Sequence, residues 1–340
     1  MANAVYVQTN DAADNEILAF SRANDGTLAR LGRYSTGGRG TGEPHLPSQS
    51  SVVLGDDGRW LLVVNAGSVE LSMFAVEPHG LRLADRVSSG GNKPTSVAVS
   101  GTLVYVLNNG TPSISGFKLV DGKLTALADS TRPLSGNDAD PAQLSFTSDG
   151  RTLIATERGT NSISSYAIDA RGYAEGPRTI EASGQTPYGF GFAANGSLIV
   201  TEAFGGEIGA AAASSYALTD AGDLIVVSGS VGDTRSEVCW AAVTNDGRYV
   251  FVTNFGDGTI SSYETSADGS LTLLDPVAGS TRHGEKGVRD EAISNDGRYL
   301  YAIDADAQKL FGWAVSESGQ LTAVGAFEGV PDTVAGLAAS

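Results

Sequence analysis

One phrase recurs along the chain and limits what it can fold into. It reads NDGRYVFVTNFGDGTISSYE at 245–264, NDGRYLYAIDADAQKLFGWA at 295–314, DDGRWLLVVNAGSVELSMFA at 56–75 and SDGRTLIATERGTNSISSYAI at 148–168. Weaker copies begin at Ser100 and Ala194. Each copy holds a Gly-marked turn, an apolar strand, a polar turn and a strand alternating with period two. Glycines at 58, 101, 150, 196, 247 and 297 mark one turn of each unit, and those at 26, 80, 122, 172, 222, 269 and 319 mark another. Successive spacings run from 42 to 54 residues, the length of a propeller blade.

The arithmetic of the units closes a ring. Six full units of four strands are expected over about 45–91, 92–136, 137–184, 185–235, 236–284 and 285–330. Three strands precede them within 4–35, and 331–340 matches only the first strand of a unit. Joined, the two ends complete a seventh blade. The expected fold is all-β, a seven-bladed β-propeller of four-stranded antiparallel blades forming one domain over 1–340. A lone blade cannot bury its faces, so blade must pack on blade around the axis.

Composition narrows the partners. The net charge of −17 argues against nucleic acid and anionic membranes, which need clustered Lys and Arg. The single cysteine, Cys239, excludes an internal disulfide framework and a cysteine-based zinc site. No apolar run approaches the length of a transmembrane helix. The expected partner is a small-molecule ligand or substrate, and the expected state is a soluble monomer. The compartment is the cytoplasm, or an exported location reached with a leader outside this sequence.

The short, repetitive turns share one face; the variable loops and blade-to-blade connections share the other, where function usually sits. Loops of four units begin with Asn65, Asn108, Asn254 or Asp304, residues that cap turns. Two units break the pattern with Glu157, followed by Arg158, and Glu202, followed by Ala203 and Phe204. Two carboxylates near one channel mouth could act as acid and base, hold a divalent cation such as calcium, or merely be solvated. No other cofactor is expected. His45 leads into the second unit and could serve as a further catalytic group. The run 281–291 is dense in charge, with Arg289 and Asp290 able to reach the rim. Gln143, Tyr188, Trp240, Phe255 and Phe204 are candidate walls of a binding site.

The repeated DGR-x-apolar strand and its N-x-G-x-x-x-I-S-x-Y continuation resemble the seven-bladed lactonase family, which includes propeller-type 6-phosphogluconolactonases and carboxymuconate cyclases. TEAFGGEIGAAAASSY at 201–216 and CWAAVTNDGRYVFVTNFGDGTISSY at 239–263 are similar to a bacterial branch of that family. The resemblance implies a lactonase-like hydrolase or isomerase, with a His, Arg and Glu site at the channel mouth. Residue by residue, it carries over Glu157 and His45. Asp140-Pro141-Ala142-Gln143 replaces a lead-in bearing Arg and His, and Trp240 with Asn254-Phe255-Gly256 replaces a Glu and an N-R-G loop. Two expectations stand open. One is a lactonase-like enzyme using Glu157, Glu202, His45 and Arg158; the other is a non-catalytic propeller binding a ligand or protein partner on the same face.

Overall fold

The computed structural model of the chain describes residues 3–44, 46–55, 58–219 and 222–340. Seven antiparallel sheets surround a central channel. Blade 1 runs outward from the axis as Ala335–Ala339, Ala4–Gln8, Glu16–Arg22 and Leu28–Ser35, so the last strand of the chain pairs with the first, Tyr6 opposite Ala338. Blades 2, 4, 5, 6 and 7 are four-strand meanders, and the outer strand of blade 3 is broken into Lys123–Ala126 and Arg132–Pro133. The expected ring with a composite first blade is what the chain forms. Among the described residues the only helical element is the 3₁₀ turn Phe204–Gly206.

The repeat phrase has a packing reason. Apolar strand residues such as Leu153, Ile154, Val250 and Val252 are fully buried between neighbouring blades. The tyrosine closing the I-S-S-Y motif of blades 4 and 6, and the A-S-S-Y of blade 5, is buried too, and its hydroxyl needs a partner there. The Tyr166 hydroxyl donates to the Pro133 carbonyl at 2.7 Å, that of Tyr263 donates to the Val231 carbonyl at 3.0 Å, and that of Tyr216 accepts from the Ser183 amide at 2.8 Å. Each bond reaches back to the preceding blade, so the motif stitches the ring as well as filling it.

The inner strands leave their ladder where they meet the channel. Register shifts interrupt pairing at Pro141/Gln143, Pro187/Phe190, Val238/Trp240 and Val288/Glu291. Such bulges re-aim side chains that regular alternation would send elsewhere. They turn Tyr188, Cys239 and Arg289 towards one end of the axis.

The segment before the inner strand of blade 2, Val52–Leu54, crosses the channel. The Gln49 amide nitrogen donates to the Ala241 carbonyl at 2.8 Å, and its oxygen accepts from the Ala241 amide at 3.1 Å. Its backbone N–H donates to the Ala142 carbonyl at 3.0 Å, and the Trp240 indole donates to the Ser48 carbonyl at 3.0 Å. Blades 2, 4 and 6 are thereby tied across the axis. Gly189 is required beside this bridge, because a Cβ there would meet the Cys239 carbonyl at 2.6 Å and the Trp240 Cα at 2.9 Å.

Blade 1 supplies a test of ring closure. All five residues of Ala335–Ala339 are buried, and removing them exposes the inner edge of blade 1 and the flank of blade 7. Truncation after Val330 should abolish the cooperative thermal transition seen by circular dichroism. A truncated chain melting within a few degrees of the full one would show that the ring holds without its clasp.

Candidate functional site

The channel mouth on the loop face brings together three cations, Arg158, Lys286 and Arg289, each against an aromatic ring. Arg289, on the bulge of the blade 7 inner strand, is 6% exposed. Its guanidinium lies 5.2 Å from the Phe255 ring centre, and Nη2 is 3.7 Å from the Asp306 carboxylate. Nε and Nη1 are buried with no hydrogen-bond partner. Arg158, from the blade 4 loop, lies 4.8 Å from the Tyr188 ring centre and is held by Asp140 at 2.7 Å. Lys286 lies 5.6 Å from the Phe255 ring and pairs with Glu237 at 2.7 Å.

The walls between these cations are apolar. Tyr188 and Trp240 pack at 5.4 Å with Cys239 and Ala142, and Phe255 packs against the group. The Tyr188 hydroxyl is buried and unpartnered. Burial pushes the Cys239 thiol up to about 12, outweighing the pull of Arg158 and Arg289. Cys239 is therefore a neutral wall and not a nucleophile. Burial also pulls Arg289 below its ordinary value, opposed chiefly by Asp306. A buried guanidinium with two unpartnered nitrogens, near an unpartnered phenol, is an arrangement suited to an anion or a polarised carbonyl oxygen.

The family model described as lactonase, 7-bladed beta-propeller, matches residues 12–136, 100–203 and 203–334. The chain belongs to this lactonase family. No match was found among curated proteins. Among solved structures, a candidate 6-phosphogluconolactonase of Bacteroides fragilis is 20% identical, with a TM-score of 0.77 over 98% of this chain and 97% of that one. A functionally unknown protein of Desulfotomaculum acetoxidans is 15% identical, with a TM-score of 0.76 over 99% and 98%. The periplasmic gluconolactonase of Pseudomonas aeruginosa is 18% identical, with a TM-score of 0.71 over 97% of each chain. At these identities the likeness is one of fold.

Within this lactonase-family ring, the two carboxylates singled out by pattern are each taken up by a separate set of hydrogen-bond donors. Glu157 ends the second strand of blade 4 and is fully buried. It accepts from the Ser135 amide and hydroxyl, the Thr160 hydroxyl and the Ser164 hydroxyl. Glu202 ends the second strand of blade 5, also fully buried. It accepts from the Gly184 amide at 2.8 Å, the Ser214 hydroxyl at 2.5 Å and the Ser230 hydroxyl at 2.7 Å. Asn65, Asn108, Asn254 and Asp304 end the same strand in their blades, all fully buried. Asn65, Asn108 and Asn254 each donate to the serine seven residues on. Glu157 and Glu202 are longer versions of this post, each fastening one blade-to-blade connection. An acid and base pair formed by them, or a cation held between them, has no support in this geometry.

The other candidates divide. Arg158, Tyr188, Trp240, Phe255 and Arg289 meet at the mouth. Gln143 bonds both the Phe190 carbonyl and the Phe190 amide, joining inner strands of blades 4 and 5 instead of facing a ligand. Phe204 starts the 3₁₀ turn and lies against Gly184, in the blade 5 connection. Asp290 lines the opposite chamber of the channel. His45 lies outside the described residues. Sequence reasoning passed over Cys239 and Asp306; the first sits one residue before Trp240, and the second has no local signal.

Burial makes stability pH-dependent. It pushes Asp233 up to about 6 and Asp290 up to about 7, and raises Glu202 and Glu291. Each binds its proton more tightly folded than unfolded. Stability from these groups is complete below the ordinary carboxylate range and is lost as pH rises through about 6 and 7. In cation-free buffer, Asp290→Asn should therefore raise Tm more at pH 8 than at pH 5. Equal shifts at both pH values would mean that Asp290 is not protonated by burial.

Proposed function

We propose that this chain is a lactonase-like enzyme, opening a small anionic lactone at the loop-face mouth of the channel. The observation that carries this reading is the Arg289 guanidinium, buried with Nε and Nη1 unpartnered beside the unpartnered Tyr188 hydroxyl. Family membership supports the reaction class, as do the names of two structural neighbours, a candidate 6-phosphogluconolactonase and a gluconolactonase.

In this reading Arg158 holds the anionic group of the substrate, and its stack on Tyr188 fixes the guanidinium plane. Arg289 and the Tyr188 hydroxyl face the lactone carbonyl. Water adds to the carbonyl carbon and gives up its proton to Asp306, the half-exposed carboxylate beside Arg289. The tetrahedral oxyanion gains most from Arg289, because a preorganised cation in a dry pocket stabilises charge as it develops. Collapse breaks the ring carbon–oxygen bond. The leaving oxygen takes back the proton held by Asp306, the new carboxylic acid releases its proton to solvent, and the products are one carboxylate and one hydroxyl.

Non-catalytic ligand binding is the second reading. It is favoured by the sequestration of Glu157 and Glu202, which removes the carboxylates the sequence offered for chemistry.

Acid release from a panel of phosphorylated and carboxylated lactones, followed by pH-stat, separates the two. Arg289→Ala should lower kcat/KM about ten- to a hundredfold, the scale of a lost charge-assisted hydrogen bond. Asp306→Asn should lower kcat by roughly 10²–10⁴-fold with KM little changed. Activity that survives both substitutions would overturn this assignment. Saturable binding of hydroxy acids that Arg158→Ala weakens, with no acid release from any lactone, would establish the binding reading.

A further inference from the structure

The end of the channel away from the proposed ligand site is a chamber of its own. It is a cavity of about 290 Å³ beneath the Gln49 bridge, lined by residues in the latter halves of inner strands, such as Val243, Ile293 and Ala339. It opens on the face of the short turns, where Asn245 contributes to its rim. Its charged lining residues are Asp290 and Glu291, and no Lys, Arg or His is among those that line it. Regular alternation would send consecutive residues to opposite sides of a strand. The register shift between Val288 and Glu291 lets both carboxylates face one space.

Glu291 is 4% exposed; the Ala242 amide lies near its carboxylate, but neither carboxylate oxygen makes a well-formed hydrogen bond. Asp290 is 3% exposed and accepts one bond, from the Gly336 amide to Oδ2 at 2.8 Å. Arg289, the adjoining cation, is directed to Phe255 and Asp306 at the mouth. Two adjacent buried carboxylates without a cation along their cavity must either keep protons or receive a positive ion. The chamber's polar side chains end in oxygen or amide groups, with neither imidazole nor sulfur among them. Such a set selects a hard cation and disfavours zinc or copper.

We propose that the lower chamber binds one hard, oxygen-ligated divalent cation through the carboxylates of Asp290 and Glu291. The Ser50 hydroxyl, which lines the same cavity, and water complete its shell. The site is separate from the Arg158–Arg289 mouth and stands whether or not the protein opens lactones.

The test uses the full chain stripped of cations and titrated with Tb³⁺ under tryptophan excitation; the neighbour of Trp240, Ala241, lines the chamber. Sensitised emission should saturate and be displaced by Ca²⁺ or Mg²⁺, the lower displacing concentration naming the preferred ion. Glu291→Gln and Asp290→Asn should each weaken binding roughly tenfold or more, while Arg158→Ala leaves it unchanged. The preferred ion should also raise Tm of the wild type and not of Glu291→Gln, since a ligand that binds only the folded state stabilises it. Both amide variants remove a buried carboxylate and retain its shape, and their melting curves report folding independently. Emission equal in wild type and both variants would overturn the proposal, as would a wild-type Tm indifferent to both ions. The two acids would then simply hold protons.

Discussion

Seven inner strands converge on one axis, and none has a neighbour on its inner side within its own sheet. Unpaired strand edges are costly when buried and hazardous when exposed. The ring resolves this by curving the edges away through bulges and by lending side chains across the gap. Gln49 acts as a detached piece of backbone, offering Ala241 both a donor and an acceptor. Gln143 does the same for Phe190 between blades 4 and 5. The bulges that satisfy geometry at the axis also decide which side chains enter the channel. The candidate site is thus a by-product of how the ring closes.

The fold was legible because repetition multiplies a weak signal. No single strand of this chain is distinctive, yet the turn glycines and the I-S-S-Y motif recur at blade spacing, and the three leading strands lack the one that 331–340 supplies. The tyrosines could be placed as strand residues from their alternation. Their bonds to the preceding blade could not, since nothing local says which carbonyl lies across an interface.

The candidate site is less legible than the fold, for a physical reason. Glu157 and Glu202 depart from the Asn or Asp found at the same place in four other blades, and a departure from a repeat invites a functional reading. Here the longer side chains reach hydroxyls and amides of the connection, so the same fastening is made with a carboxylate. Arg289 lay inside a charged run whose first half is indeed exposed, with His283, Glu285 and Lys286 in solvent. The second half turns inward at Gly287. A bulge is a relation between two strands, and the sequence of one of them does not record it. The aromatic residues Tyr188, Trp240 and Phe255 were recognisable because large apolar side chains beside a loop face have few other places to go.

The bridge made by Gln49 and Trp240 also bears on traffic. A propeller channel is usually pictured as a tunnel, but here two side chains and a backbone segment span it at mid-depth. A molecule that enters between Arg158 and Arg289 has one door. In the proposed lactone-opening reading, whatever leaves must pass the same guanidinium groups that admitted it, and a product bearing more negative charge than its precursor departs against a stronger attraction. Residence of the product, and its competition with the next arrival, are then set by the architecture of the axis as much as by chemistry at the mouth.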